Sequence, residues 1–394
     1  MGERMIGKAA KALLLSMVCG LCAPALANST ENASAAGMAP ASPDVGAPGA
    51  SVPGVVRIAL LLPTQSETFG LAAQALRAGF MAAFEREPAG IDVTVVESAD
   101  GEQNVLQAYA DAQARADIVV GPLARADVAA IAKGGKVEKP SLALALPEAA
   151  TEGEIALPPR MLAIGLSIEE EARQLASWAA GTKPGKAFVI STPIAWQRRA
   201  ARAFAMQWQE KGNEAQQFEI ASSSGYLSAS GLAQLKKRLQ DEKPALLFLG
   251  LDAFQSQQLQ LALGKGPAAY GTSQLNPLSA TDWRSAERRP EMNGVHLLDI
   301  PWQVQPDHPA AMVYPRWVTQ ADQRANPDLE RLYALGIDAY RMARELALGR
   351  NSFELDGVTG RLAVKFGPEA YRFRRTAQPA MYQGGVVVPL SRAP

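Results

Sequence analysis

The chain has 394 residues, of which 48% are hydrophobic and 20% are charged, so it can bury a large core, and its length suggests two domains or more. Lysine plus arginine and aspartate plus glutamate are equal at 39 each, which excludes a net field that would favour nucleic acid or an anionic membrane surface. Short basic clusters lie on predicted helices, where solvated helix faces explain them: Arg198, Arg199, Arg202 and Lys236, Lys237, Arg238.

Residues 1–27 have the pattern of a secretory signal peptide, with early basic residues, an apolar run over 12–22, and the sequence Ala25, Leu26, Ala27. We expect cleavage after Ala27 and a soluble mature chain, because the run is shorter than the roughly 18 to 20 apolar residues that span a bilayer. Cys19 and Cys22 both lie inside this segment. A lipoprotein anchored at one of them is the alternative, which we favour less because neither cysteine follows a small residue.

Residues 28–54 are rich in Ala, Pro, Ser and Gly, and we predict a flexible tether there. The first strand follows at 55–62 and is stopped by Pro63. From Thr68 the apolar residues recur every three or four positions, which indicates an amphipathic helix: Phe69, Ala72, Ala73, Leu76, Phe80 and Phe84.

Strands and helices then alternate along the chain. Strands are predicted at 91–97, 117–120, 141–146, 161–164, 187–190, 217–220, 245–249, 268–272 and 294–300, with short strands at 357–364 and 380–389. Helices are predicted at 105–115, 127–133, 167–180, 196–211, 231–240, 253–263 and 328–348. This alternation predicts an α/β protein with two lobes, each a parallel sheet flanked by helices, and a hinge between them. We assign 55–164 plus about 300–350 to lobe 1, and 165–299 plus about 351–394 to lobe 2.

Ligands of open parallel sheets bind in the crevice past the carboxyl ends of the strands. The loop residues at these ends are therefore the candidates for lining a cleft: Thr64, Gln65, Ser66, Gly121, Pro122, Leu123, Ala145, Gln274 and Trp302. The first three suit a turn and a helix cap equally well. Trp302 follows a predicted strand and Pro301, a place from which it could line the hinge or the cleft.

No recognisable catalytic or metal-binding motif occurs, so we predict no enzyme activity, no cofactor and no metal. The sequence contains two histidines, His296 and His308, but no Gly-x-Ser-x-Gly motif whose serine could form a catalytic triad with either of them. We expect His296 to be a core or strand-edge residue. A glycosidase pair of carboxylates stays open in principle. Its candidates are more simply solvated or capping acids: Glu67, Asp100, Asp252 and Asp299.

Taken in order, several stretches resemble the penicillin-binding protein activator family (LppC/LpoA-like) with its type I periplasmic-binding-protein fold, over about residues 55 to 390. They include IALLLPTQSETFGLAAQALRAGFMAA, DIVVGPLARADVAAIA, LALALP, AIGLSIEEEARQLASWA, YGTSQLN, GVHLLDIPW, RLYALGIDAYRMA and DGVTGRL. The resemblance implies a two-lobed periplasmic protein that promotes peptidoglycan synthesis by contacting a bifunctional, class A penicillin-binding protein. Enterobacterial members resemble lipoproteins with a further helical-repeat domain, whereas here a poor lipobox and a 27-residue tether precede the fold.

The alternative is a periplasmic solute-binding protein for an amino acid or a peptide fragment. Amino-acid binders of this fold resemble one another in a Ser- or Thr-rich first loop and in an acidic residue that pairs with the ligand ammonium. Here the loops after the third and fourth strands, residues 121–123 and 147–149, offer little polar side chain beyond Glu148. This composition favours the regulator over a tight amino-acid binder.

Overall fold

The structure, a computed structural model, describes residues 54–148, 156–277, 288–317, 326–367 and 370–391. The first lobe is built on a parallel sheet of five strands in the order β2-β1-β3-β4-β5. Its strands are β1 Val56–Leu62, β2 Ile91–Glu97, β3 Ile118–Val120, β4 Ser141–Ala143 and β5 Met161–Ala163, and its crossover helices are α1 Gly70–Arg86, α2 Glu102–Arg115 and α3 Arg125–Gly134. The inner strand β1 is buried over its last five residues, as its unbroken apolar run predicts.

The second lobe begins with α4 Ile168–Thr182, capped by the Ser167 hydroxyl, which accepts from the backbone N–H of Glu170. The elements that follow are β6 Ala187–Ser191, α5 Ala195–Glu210, β7 Ala215–Glu219, the hairpin β8 Ser222–Ser223 and β9 Tyr226–Leu227, α6 Ala229–Glu242, β10 Leu246–Leu249, α7 Ala253–Leu263, β11 Ala268–Gly271 and β12 His296–Asp299. Single 3-10 turns lie at Ser273–Leu275 and Pro290–Met292.

The chain then returns to the first lobe through two short helices, α8 Pro301–Val304 and α9 Pro309–Met312, and the long helix α10 Pro327–Ala347. Helix α10 packs against α1 at very short range, because glycines face the opposite backbone: a Cβ at Gly79 would lie 1.9 Å from the Tyr333 carbonyl oxygen, and one at Gly336 would lie 2.1 Å from that of Leu76. This contact joins α10 firmly to the first sheet.

The carboxyl-terminal segment is divided between the lobes, whereas the sequence-based division placed about 351–394 wholly in lobe 2. Strands β13 Ser352–Gly357, β14 Gly360–Gly367 and β15 Ala370–Thr376 form an antiparallel sheet, and its inward residues Leu362, Val364 and Phe366 join the hydrophobic core of the first lobe. Strands β16 Gln378–Gln383 and β17 Val386–Pro389 instead pair antiparallel onto β12. The seven-stranded sheet therefore has the order β17-β16-β12-β11-β10-β6-β7.

The α/β architecture with parallel sheets flanked by helices is confirmed, and most element bounds agree with the periodicity to within a few residues. Strand β2 and helix α7 begin and end where the pattern places them. The predicted signal peptide and nearly all of the tether lie outside the described residues. Within the part of the chain that is described, no helix has the length and apolar composition to cross a bilayer.

Candidate functional site

The first loop at the edge of the cleft lies just ahead of helix α1, and its polar side chains differ in exposure. Ser66 is buried, and its hydroxyl accepts from the Phe69 backbone N–H at 3.1 Å. Gln65 is exposed and donates to the Glu97 carboxylate at 3.1 Å. The Thr64 hydroxyl is buried and has no hydrogen-bond partner among the described residues. Of the three, Gln65 is the one whose side chain is open to solvent.

The loop after β3 is shaped by backbone packing. Gly121, joined to Pro122 by a cis peptide bond, has φ of 127°, and a Cβ there would lie 2.2 Å from the Leu61 carbonyl oxygen. Leu123 is buried, and Ala145 packs on the apolar cluster between the sheet and helices α2 and α3. The loop thus presents little polar side chain, as its composition predicts.

The two remaining candidates have different surroundings. Gln274 donates to Asp328 at 3.3 Å and so joins the second lobe to the start of α10. Trp302 is fully buried in the core of the first lobe, with the Arg316 guanidinium 4.2 Å from its ring centre. The suggestion that Trp302 lines the cleft is therefore wrong, because α8 turns its ring inward against Tyr333.

A buried ionic network joins the two lobes around Asp299, which the sequence indicates only as an ordinary solvated or capping acid. Asp299, at the end of β12, is 0% exposed, and Arg331 of α10 is 5% exposed. Arg331 donates to both carboxylate oxygens of Asp299, at 3.1 and 2.9 Å. The same guanidinium donates to the carbonyl oxygens of Ser273 and Asn276, both at 3.1 Å, and to Asp328 at 2.9 Å. Burial opposes the charge on Arg331, but the Asp299 carboxylate outweighs it and raises the pKa of Arg331.

Asp299 is therefore a paired core acid, and its assignment as a solvated or capping residue is wrong. Asp252 is the helix cap that the pattern predicts, since its carboxylate accepts from the Gln255 backbone N–H at 2.8 Å. The sequence does not reveal the Asp299–Arg331 pair, because the two residues lie 32 positions apart on different elements.

A second ion cluster bridges the lobes at the start of α3. Arg125 lies 3.4 Å from the Glu169 carboxylate of α4, and Arg199 of α5 donates to the same oxygen at 2.8 Å. Burial would raise the pKa of Glu169, but the two arginines and a backbone hydrogen bond lower it overall. The polar groups of both lobes thus pair with each other across the junction.

We call the crossing from β5 to α4 the hinge. It is held by Arg375, which donates to the carbonyl oxygens of Gly165 at 2.8 Å and Ile164 at 2.7 Å. Burial lowers the pKa of Arg375 to about 10. Glu171 of α4 accepts from the backbone N–H of Ser273 at 2.8 Å and from its hydroxyl at 3.2 Å. Burial raises the pKa of Glu171 to about 7.

A cavity of about 570 Å³ lies beside these hinge residues. Its walls include Leu166, Glu171, Gln174, Trp178, Phe373 and Arg375, and none of the nine predicted cleft residues lines it. Gln174 is already engaged, because it donates to the Arg375 carbonyl at 2.8 Å and accepts from the Ala377 N–H at 3.1 Å. The predicted residues are therefore not gathered at this cavity.

The histidines have structural roles. His296 stacks on Tyr270 at 4.9 Å between ring centres and meets Trp178 edge to face at 5.6 Å, and burial lowers its pKa. The His308 ring accepts from the Ala310 N–H at 3.3 Å at the start of α9. Over the described ranges, no group of three His, Cys, Asp or Glu residues is placed to hold a metal ion.

The family model described as "LppC putative lipoprotein" matches residues 50–241 and 251–385. This chain belongs to the LppC family. The resemblance that the sequence indicates is thereby confirmed.

Among LppC relatives, the chain is 29% identical over 318 residues to the penicillin-binding protein activator LpoA of Edwardsiella piscicida, across 71% of this chain and 43% of that protein. It is 27% identical over 316 residues to the LpoA of Serratia proteamaculans, across 70% of this chain and 44% of that protein. The chain therefore spans less than half the length of these curated relatives.

Two solved structures share the architecture. A structure from Chromobacterium violaceum, titled "a putative branched-chain amino acid ABC transporter", is 32% identical with a TM-score of 0.65, covering 83% of this chain and 100% of that one. The LpoA C-domain of Haemophilus influenzae, titled a regulator of PBP1A, is 22% identical with a TM-score of 0.61, covering 85% and 99%. The second likeness shows the fold alone.

Proposed function

We propose that this LppC-family chain is a non-enzymatic regulator in the periplasm, where it binds a class A, bifunctional penicillin-binding protein and activates its peptidoglycan synthesis. The observation that carries this proposal is the family match over residues 50–241 and 251–385, with curated relatives named penicillin-binding protein activators. Regulation by contact requires a rigid surface rather than a reactive centre.

The lobe junction supports this proposal. Arg331 pairs with Asp299 and with backbone carbonyl oxygens across it. Glu169 pairs with Arg125 and Arg199. The hydrogen-bonding capacity of these groups is therefore already used within the chain. A solute that entered between the lobes would have to break buried ion pairs, which is costly in a low-dielectric site. We infer that the two lobes act as one body whose outer surface meets the partner.

The test is a titration of the full chain against an immobilised class A penicillin-binding protein, followed by biolayer interferometry. We expect saturable binding, and no binding by a solute-binding protein of the same fold as the matched control. A full chain that binds no more than this control at every concentration tested would contradict the proposal.

A second candidate is a solute-binding protein for an amino acid or a peptide fragment, and the 32% identity to the Chromobacterium violaceum structure favours it. In this case the residues that would contact the solute are Thr64, Gln65, Ser66, Gly121, Pro122, Leu123, Ala145 and Gln274. Thermal shift against amino acids and peptidoglycan peptides separates the two candidates, because a ligand at 100 times its Kd stabilises the folded state by about 2.7 kcal/mol. A shift of this size without synthase binding would favour the solute-binding protein.

A further inference from the structure

The exposed face of the antiparallel sheet β13–β15 carries four cationic side chains. Along β14, the residues that point inward are buried, which leaves Arg361 and Lys365 exposed on the outer side. On β15, Arg372 and Arg374 are exposed in the same way. We call these four residues, Arg361, Lys365, Arg372 and Arg374, the basic face.

The strand register places like charges together. Lys365 lies directly opposite Arg372, and Arg374 lies opposite Ala363 on the neighbouring strand. Like charges directly opposite each other on an antiparallel pair destabilise the sheet. None of these four side chains forms a hydrogen bond or an ion pair with a residue that the structure describes.

Several arginines elsewhere in the chain have partners. Arg331 contacts Asp299, Arg198 contacts Glu219, and the Arg375 side chain, on the same strand as the basic face, is held by backbone carbonyls. The Lys365–Arg372 pair therefore keeps an unfavourable local arrangement that no contact with the described residues offsets, whereas Arg361 lies opposite Asp356 of β13. Such local conflicts are expected where a surface serves binding.

We propose that the basic face binds an acidic polypeptide segment in extended conformation. Arg372 and Arg374 are two residues apart on one strand, a spacing of about 6.7 Å, which is also the spacing of side chains on one side of an extended peptide. Acidic residues at alternate positions of such a segment would meet both guanidinium groups. Lys365 supplies a third contact one strand away.

The surroundings favour a narrow chain over a flat anionic surface. Glu354 and Asp356 lie on the outer side of β13, so the cationic strip is bounded by acids that a planar anionic membrane would meet unfavourably. No described residue of this sheet is a large exposed hydrophobic side chain of the kind that inserts into lipid. The strip is about two strands wide, which suits one extended polypeptide.

The basic face is also well supported from behind. Asp338 of α10 accepts from the Thr359 N–H and hydroxyl, both at 2.7 Å, and from the Val358 N–H at 3.1 Å, which anchors the turn between β13 and β14. Arg375 ties β15 to the hinge. A surface fixed in this way loses little conformational freedom on binding.

The test measures fluorescence anisotropy of a labelled peptide of alternating glutamate and serine, titrated with the full chain. We expect saturable binding that weakens as salt is raised, because exposed charge pairs are screened. The double variant Lys365→Glu/Arg372→Glu should lose at least about tenfold in affinity. The single variant Lys365→Glu should also bind more weakly while folding at least as well as the natural chain, since it places opposite charges face to face.

The matched control is Lys211→Glu/Lys237→Glu, which makes the same charge change at two exposed lysines of the second lobe. We expect it to bind the peptide like the natural chain. Failure of the natural chain to bind, or equal binding by the basic-face variant, would overturn the proposal. Comparable or tighter association with vesicles of phosphatidylglycerol and phosphatidylcholine would overturn it in favour of a membrane surface. Because the probe is a synthetic peptide, the result is independent of whether a synthase is activated.

Discussion

Two regions of the molecule use the same types of side chain in opposite ways. At the lobe junction, Arg331 and Asp299 are buried, and each hydrogen-bonds to several groups. On the basic face, Lys365 and Arg372 are exposed, lie directly opposite each other, and form no ion pair with the residues that the structure describes. Charge at the junction thus holds the two lobes together, whereas charge on the sheet face is available to a partner.

The largest expected effect comes from breaking the junction. Arg331→Met leaves Asp299 buried without its cation, and we expect a loss of about 3 to 5 kcal/mol in the free energy of unfolding, measured by urea titration. Arg198→Met is the control, because Arg198 and Glu219 form an exposed pair that water replaces, and its effect should be within error. Equal losses of unfolding free energy in the two variants would show that the buried junction network contributes no more to stability than an exposed ion pair.

The cleft loop gives the next largest effect. Gly121→Ala places a Cβ 2.2 Å from the Leu61 carbonyl oxygen at a positive φ, and we expect a loss of about 2 to 3 kcal/mol in unfolding free energy. Gly266→Ala, where a Cβ meets open space, is the control and should change stability by a few tenths of a kcal/mol. An unchanged melting temperature in Gly121→Ala would contradict a packing role for the loop.

A pH dependence follows from Glu171, because burial raises its pKa in the folded state to about 7 from its ordinary value of 4.5. The folded state holds this proton more tightly than the unfolded state, so the stability it contributes is present below about pH 4.5 and is lost as pH rises through 7. Relative to Glu171→Gln, we expect the natural chain to lose about 1 to 3 kcal/mol between pH 5 and pH 8 in denaturant titrations. A difference in unfolding free energy between the natural chain and Glu171→Gln that stays constant from pH 5 to pH 8 would contradict the raised pKa of Glu171.

The smallest effect is a gain. Lys365→Glu should raise the free energy of unfolding by about 0.2 to 1 kcal/mol, because it replaces a like-charge cross-strand pair with an attractive one. Urea midpoints at low salt measure this change, and the gain should shrink when salt is raised. A destabilised variant would mean that Lys365 has a structural partner, so that the basic face, like the lobe junction, would use its charge to stabilise the fold.

Local pattern predicted most of the fold because its signals are short in range. The apolar spacing of Ala73, Leu76 and Phe80 in α1 reports a buried helix face, and all three are fully buried. Strands β13 and β15 were missed because charged residues alternate with apolar ones in their sequences, which weakens the usual strand composition. The assignment of these strands to the first lobe depends on contacts with α10, which no local pattern contains.

The candidate site was less predictable, since it depends on pairs distant in sequence. Asp299 and Arg331 each look like an ordinary charged residue until the fold brings β12 beside α10. Trp302 follows a strand in a way that suggests a cleft, but α8 buries it. The alternation of Arg361, Lys365, Arg372 and Arg374 is visible in the sequence and would have indicated the basic face if β15 had been recognised beside the predicted strand at 357–364.

The most direct test of the account is the rate of peptidoglycan synthesis by a purified class A penicillin-binding protein, measured with and without the full chain. We predict a rate that rises and saturates with added chain. A rate that is unchanged at saturating chain, with no binding between the two proteins, would contradict it.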